Sequence, residues 1–274
     1  MSLSTILSEI DNLQKQLISL TPQHKEISNK LWQKFRFEWD FNSNHIEGNT
    51  LTYGETQLLL IFDRTTGEHD FRELEEMKAH DSAVHLIKDW SQNPSHELSE
   101  TDIRSLNQMI LVRPYWKEAI TSDGQPTRRQ IKVGEYKSYP NSVRLKNGEL
   151  FHYTSPEETP RLMSELINWY RSSDDIHPVI KAAEIHYRFI RIHPFDDGNG
   201  RVARLLVNFI LMKAGYPPIV IKSDEKDAYL SALQKADTGN REAFHHYIAE
   251  QLIWSITIAI KAYRGEDIGY PPGV

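Results

Sequence analysis

The stretch HPFDDGNGRVAR, residues His193 to Arg204, decides how the chain reads. It interrupts a run of helical patterns with a histidine, two aspartates, two glycines and an asparagine, then opens onto the apolar segment Val202 to Ala214. A residue before proline disfavours the α conformation, so the preceding helix, Pro178 to Ile192, is expected to end at His193. Asp197-Gly198 and Asn199-Gly200 are turn dipeptides. The apolar helix that follows, closed by Gly215 and Pro217-Pro218, is expected at the centre of the domain.

A glycine-rich turn feeding a helix N-terminus is built to receive an anion, because the first N–H groups point outward and the helix dipole adds positive charge there. Gly198 and Gly200 remove the Cβ atoms that would keep a ligand from the backbone. Arg201 and Arg204 are three residues apart and share one face near that end. They oppose the dipole at a cost of about 0.3–1 kcal/mol each, unless an anion is present. Asp196 or Asp197 would repel a bare carboxylate, whereas a polyphosphate bridged to an aspartate by Mg²⁺ fits. His193 at the rim has a reference pKa of about 6.5, suited to taking a proton from a hydroxyl. Nest, carboxylate, base and paired arginines together describe phosphoryl or nucleotidyl transfer. A turn that merely joins two helices would explain the glycines and aspartates, but not the histidine before them or the arginines after.

Outward from this stretch, apolar spacing predicts helices over residues 3 to 20, through Trp32, Phe35, Trp39 and Phe41 up to Gly48-Asn49, from Thr52 onward behind a Thr52–Glu55 capping box, and from Asp70 to Trp90. Ser99 to Asp102 is a weaker start signal leading into Ile103, Leu106, Met109 and Ile110. Between Arg113 and Tyr153 the period changes. Ile131-Lys132-Val133 and Val143-Arg144-Leu145 alternate, and Asn147-Gly148 is a hairpin signal. Helix returns over Pro156 to Ser172, around Asp224 to Ala236 and over Arg241 to Ala262. The expected fold is all-α, with one small β-hairpin beside the glycine-rich loop. The tail GEDIGYPPGV is expected to be disordered or a linker.

The 274 residues carry a net charge of −6 and no cysteine. Disulfides and thiolate metal sites are excluded, and a nucleic-acid partner is disfavoured for want of a basic surface. No apolar run is long enough for a membrane span, and the N-terminus lacks the order of a signal peptide, so a cytoplasmic protein is expected. His186 and His193 share a helix face, but with no third clear ligand a packed His186 is the better reading. His245-His246 has no evident partner and reads as surface or interface. Tyr229, Leu233 and Ala236 fall at helical spacing and serve either a base and ribose pocket or the core.

The stretch resembles the signature of the Fic family, H-x-F-x-[DE]-[AG]-N-[GK]-R-x-x-R, and matches all eight of its defined positions. The similarity covers roughly residues 97 to 250, leaving 1–96 as an N-terminal helical extension and 251–274 as a helix end and tail. The resemblance implies a protein adenylyltransferase, a nucleotidyltransferase that moves AMP from ATP to a Ser, Thr or Tyr hydroxyl of a target protein. By it, His193 is the general base and Phe195 holds the loop from inside. Asp197 binds Mg²⁺, Gly198, Asn199 and Gly200 form the phosphate nest, and Arg201 and Arg204 hold the β- and γ-phosphates. The hairpin, Val133 to Tyr153, corresponds to the flap on which the family captures a target segment by strand addition.

Upstream, NSNHIEGNT holds Ser43, Glu47 and Gly48, which fit the pattern [ST]-x-x-x-E-[GN]. This resembles the inhibitory helix of Fic proteins with an N-terminal brake, and implies that Glu47 pairs with Arg204 in place of the ATP γ-phosphate. Such a pair would relieve the conflict between the arginines and the dipole. The same residues allow removal of AMP from a modified protein, another nucleotide donor, or a nucleotide-sensing module without turnover. Self-modification and a homodimer are left open.

Overall fold

The computed structural model describes residues 2–21, 25–120, 124–144, 148 and 150–269. The Asn147-Gly148 turn and the end of the tail fall wholly or partly outside the described residues. Ten α-helices and two hairpins are present among those described. The helices are α1 (Leu3–Leu20), α2 (Lys25–Ile46), α3 (Tyr53–Phe62), α4 (Phe71–Gln92), α5 (Glu100–Leu111), α6 (Thr159–Arg171), α7 (Pro178–Ile192), α8 (Asn199–Lys213), α9 (Lys226–Asp237) and α10 (Arg241–Tyr263). The strands β1 (Tyr115–Ile120) and β2 (Pro126–Ile131) form one antiparallel pair, and β3 (Ser142–Arg144) and β4 (Leu150–His152) form the other.

The expected starts hold where their caps are complete. Thr52 and Glu55 close the capping box at the head of α3, and Ser99 and Asp102 close one at α5. Two expectations change. A second hairpin, β1–β2, precedes β3–β4; its strands YWKEAI and PTRRQI are too polar for a clear alternation, which hid them in the sequence. Of Ile131-Lys132-Val133, only Ile131 lies in a strand.

The apolar helix α8 runs through the middle, with Val202, Ala203, Leu205, Leu206, Val207 and Phe209 fully buried. It packs on α7 and α4, and α1 lies along α10. One core cluster runs from Ile6 and Ile10 of α1 through Phe35 and Trp39 of α2 to Ile256 and Ile260 of α10. The N-terminal helices are therefore part of the same interior as the signature loop. No helix among the described residues is long and apolar enough to cross a membrane.

Candidate functional site

Helix α7 stops at His193, which adopts a left-handed conformation (φ 50°, ψ 59°), and its N–H closes on Phe189 O at 2.9 Å. An αL histidine is uncommon and strained, but it turns the chain sharply out of the helix at the residue before Pro194. Phe195, fully buried, anchors the loop between Phe189 and Tyr136. Asn199 folds back on it: its Oδ1 accepts from Phe195 N–H at 3.0 Å and its Nδ2 donates to Phe195 O at 2.9 Å. The Asn199 side chain is thus committed to shaping the loop. Asn141 Nδ2 also donates to Phe195 O, Lys137 donates through N–H to Pro194 O and through Nζ to Ile192 O, and Asn107 Nδ2 donates to Asp197 O.

Gly198 takes φ +80° as the N-cap of α8, which begins at Asn199, three residues earlier than expected. The first intrahelical bond runs from Val202 N–H to Gly198 O at 3.0 Å. The N–H groups of Asn199, Gly200 and Arg201 therefore precede the ladder, as at any helix start. Gly200 is helical, so its requirement is space: a Cβ there would lie 2.2 Å from Glu47 Oε1.

Asp197 sits at the centre of the polar network. Its Oδ2 accepts from Tyr115 OH and Lys117 Nζ, both at 2.6 Å, and its Oδ1 accepts from Gly198 N–H at 2.6 Å. Burial alone would raise its pKa, but the Lys117 ammonium, the Tyr115 hydroxyl and the Arg201 guanidinium outweigh it and bring it to about 2. The Tyr115 ring carries the Arg72 guanidinium 3.4 Å above its centroid. Arg72 shares Glu76 with Arg201: Arg72 Nε lies 2.6 Å from Glu76 Oε1, and Arg201 Nη1 donates to Glu76 Oε2 at 2.5 Å. Asp196 points away from this set, toward Arg129 at 3.1 Å.

Arg204 faces the end of α2. Its Nε donates to Ser43 Oγ at 3.0 Å, and its Nη2 donates to Ser43 O at 2.8 Å and to Glu47 Oε1 at 2.7 Å. Helix α2 ends just before Glu47 because Gly48 (φ +100°) takes the left-handed cap, with Gly48 N–H to His45 O and Asn49 N–H to Asn44 O. Burial pushes the Glu47 carboxyl up, yet Arg204 and Arg201 more than cancel this and hold it below its ordinary value. The sequence pairing of Ser43, Glu47 and Arg204 thus corresponds to a direct contact across 157 residues.

Beside Glu47 and Gly200 opens a cavity of about 470 Å³, lined by His193, Tyr153, Lys226, Tyr229 and Leu233. Burial first, then the nearby Lys137 ammonium, pushes His193 down to about 4, against the pull of the Ile190 carbonyl, Asp197 and Glu47. Its imidazole is neutral at pH 7 and able to accept a proton. Tyr229 and Leu233 line this cavity, whereas Ala236 is in the core. His186 Nε2 lies 2.8 Å from Tyr229 OH, and its ring packs on Phe244. His245 does have a partner: it lies 2.9 Å from the buried Glu184.

Sequence reading missed Tyr115, Lys117, Glu76, Asn107, Lys137 and Asn141. Tyr115 and Lys117 alternate along β1 and carried a weak strand signal. Glu76 is one of several acids on α4, and the single asparagines carried no signal. Among the described residues no three His, Asp or Glu side chains gather to cage a metal. An ionised Asp197 beside the N-terminus of α8 nonetheless fits Mg²⁺, which commonly takes one carboxylate and completes its shell with phosphates and water.

Residues 97–211 match the Fic/DOC family. The crystal structure of a Fic domain containing signaling protein from Bacteroides thetaiotaomicron superposes with a TM-score of 0.88, at 45% identity over 96% of this chain and 99% of that one. Protein adenylyltransferase fic-1 of Caenorhabditis briggsae is 27% identical over 94% of this chain and 48% of its own. Its namesake in Caenorhabditis elegans is 29% identical over 88% and 44%. The chain spans about half the length of these curated relatives. With its signature loop, helical frame and near full-length overlap with a solved Fic protein, the chain belongs to the Fic/DOC family.

Proposed function

We propose that the chain is a protein adenylyltransferase that transfers AMP from Mg-ATP to a Ser, Thr or Tyr hydroxyl of a target protein, restrained by Glu47. The observation that carries this reading is a neutral His193 at the lip of a helix N-terminus that also presents Arg201 and Arg204. The naming of the relatives supports it. In the reaction the hydroxyl oxygen bonds to the α-phosphorus as the bond to pyrophosphate breaks, and His193 takes the hydroxyl proton. Arg201, Arg204 and the first N–H groups of α8 offset the charge gathering on the leaving pyrophosphate. Asp197 would hold Mg²⁺, which would supply neutralisation of the phosphate charge. A target segment would lie along β3–β4, where Val143 and Leu150 are exposed and Val143 borders the cavity. The cytoplasm is the proposed setting.

Glu47 competes for Arg204 with the terminal phosphate, so ATP binds out of register or weakly while the pair is closed. Labelled ATP given to wild type, Glu47→Gly and Glu47→Gly/His193→Ala tests the reading. The first variant should label itself or a lysate protein with AMP at least about tenfold above wild type, matching a coupling of about 1–3 kcal/mol. The double variant should lose that label. Equal signals from all three overturn the proposal.

A further inference from the structure

The proposed proton acceptor, His193, has only a marginal form of the device that ordinarily orients a catalytic imidazole. Such rings are held by a carboxylate or carbonyl on the nitrogen that does not react. Here Nδ1 is buried without a hydrogen-bond partner. The Ile190 backbone carbonyl is its one hydrogen-bonding neighbour and favours the charged ring, but only outside normal hydrogen-bond geometry. What bears on the ring is a face. Tyr153 lies over it with centroids 3.9 Å apart and planes within 15°.

Tyr153 is itself fixed from several sides. Its N–H donates to Asn141 O at 3.1 Å, one step beyond the β3–β4 pairing. The Phe151 ring meets it edge-on at 5.2 Å, and the Arg191 guanidinium lies 4.2 Å over Phe151. Asn141 also donates to Phe195 O inside the signature loop, so one residue ties the tyrosine and the loop together. The charged groups facing the stacked pair are Lys137 from the segment after β2, Glu47 beyond α2, Asp197 of the loop, and Arg191 and Asp237 of α7 and α9. The stack covers one face of the imidazole, and both rings line the cavity.

We infer that Tyr153 is a positioning residue for His193: its ring, stacked on the imidazole and registered to the loop through Asn141, orients the imidazole where the Ile190 hydrogen bond is too weak to do so alone. The aromatic face carries this role, and the hydroxyl is dispensable. The kinetic part of the inference rests on the adenylyltransferase reading; the structural part does not.

The test uses the full chain with ¹⁵N-labelled histidine, as wild type, Tyr153→Phe, Tyr153→Leu and Tyr153→Ala. In wild type and Tyr153→Phe the His193 ring nitrogens should stay neutral, in one tautomer, until pH falls to about 4. In the Leu and Ala variants proton affinity should rise at least about tenfold and the two tautomers should mix. In the Glu47→Gly background, kcat for AMP transfer should fall about 10- to 100-fold in both variants with KM for ATP unchanged, and Phe should restore it. An unchanged His193 titration and tautomer in folded Tyr153→Leu overturns the inference, as does failure of Phe to restore. If Glu47→Gly transfers no AMP at all, the proposed activity fails, and the nitrogen titration still decides the role of Tyr153.

Discussion

Glu76 on α4 bonds Arg201 just as Glu47 beyond α2 bonds Arg204, so each signature arginine is neutralised by an acid from the N-terminal part of the chain. The two acids differ in surroundings. Glu76 is also tied to Arg72, which rests on Tyr115 and so reaches Asp197, whereas Glu47 stands at the open cavity. Glu76→Gln keeps the shape of the pair and removes its charge. Stability to urea should drop by about 2 kcal/mol, within the range for a charged hydrogen bond in a buried site. Calorimetric affinity for ATP should rise about fivefold as Arg201 is freed for phosphate. Unchanged affinity would show that Glu76 does not compete with the nucleotide.

Gly200→Ala separates space from backbone freedom. The residue is helical, so alanine suits its conformation, but the new methyl would meet Glu47 Oε1 at 2.2 Å. The carboxyl is the end of a flexible side chain and should yield. The variant should remain folded, with stability within about 1 kcal/mol of wild type. A crystal structure should show Glu47 beyond 4 Å from Arg204; a retained pair would contradict this.

Asn199→Ala should open the loop from within. Phe195 O keeps Asn141 as a donor, but Phe195 N–H loses its acceptor in a buried site. The expected cost is about 1–3 kcal/mol in chemical denaturation. A loss under about 0.5 kcal/mol would mean that the loop holds its form without this asparagine.

Acid sensitivity should centre on Glu184. Burial alone would raise its pKa, but His245, Arg188 and Arg241 outweigh it and bring the carboxyl to about 2. The folded value is depressed, so the stabilisation is complete above the ordinary value of 4.5 and fades as pH falls through about 2. Glu184→Gln should be less stable than wild type by up to about 3 kcal/mol at pH 7. That gap should narrow steadily between pH 4.5 and 2. Denaturant midpoints across that window check it, and a constant gap would remove Glu184 as the source.

The sequence made legible what local chemistry dictates: the capping boxes at Thr52 and Ser99, the stop before Pro194, and the apolar stripe of α8. It also exposed the contact of Glu47 with Arg204, because a motif preserved both ends. Glu76 was not legible, since Glu73, Glu75 and Glu76 follow one another closely and only tertiary packing decides which meets Arg201. The support of Asp197 by Tyr115 and Lys117 was hidden for a related reason. A two-stranded hairpin open to solvent needs little apolar alternation, so its strands resemble loop. Asn107 and Asn141 act on backbone atoms of a distant loop, a relation that no spacing encodes.

Helix α2 inserts Phe35, Phe37 and Trp39 into the interior, each at most 2% exposed. Withdrawing three such side chains would cost roughly 5–9 kcal/mol, comparable to the whole stability of many domains at about 5–15 kcal/mol. The helix is therefore not a hinged arm. Glu47 lies past its last turn with 36% of its side chain exposed, and it can leave Arg204 by rotation about its own bonds. Release by side-chain rotation creates no opened backbone for a protease to cut. Limited proteolysis should therefore give the same fragments whether or not the arginine is engaged.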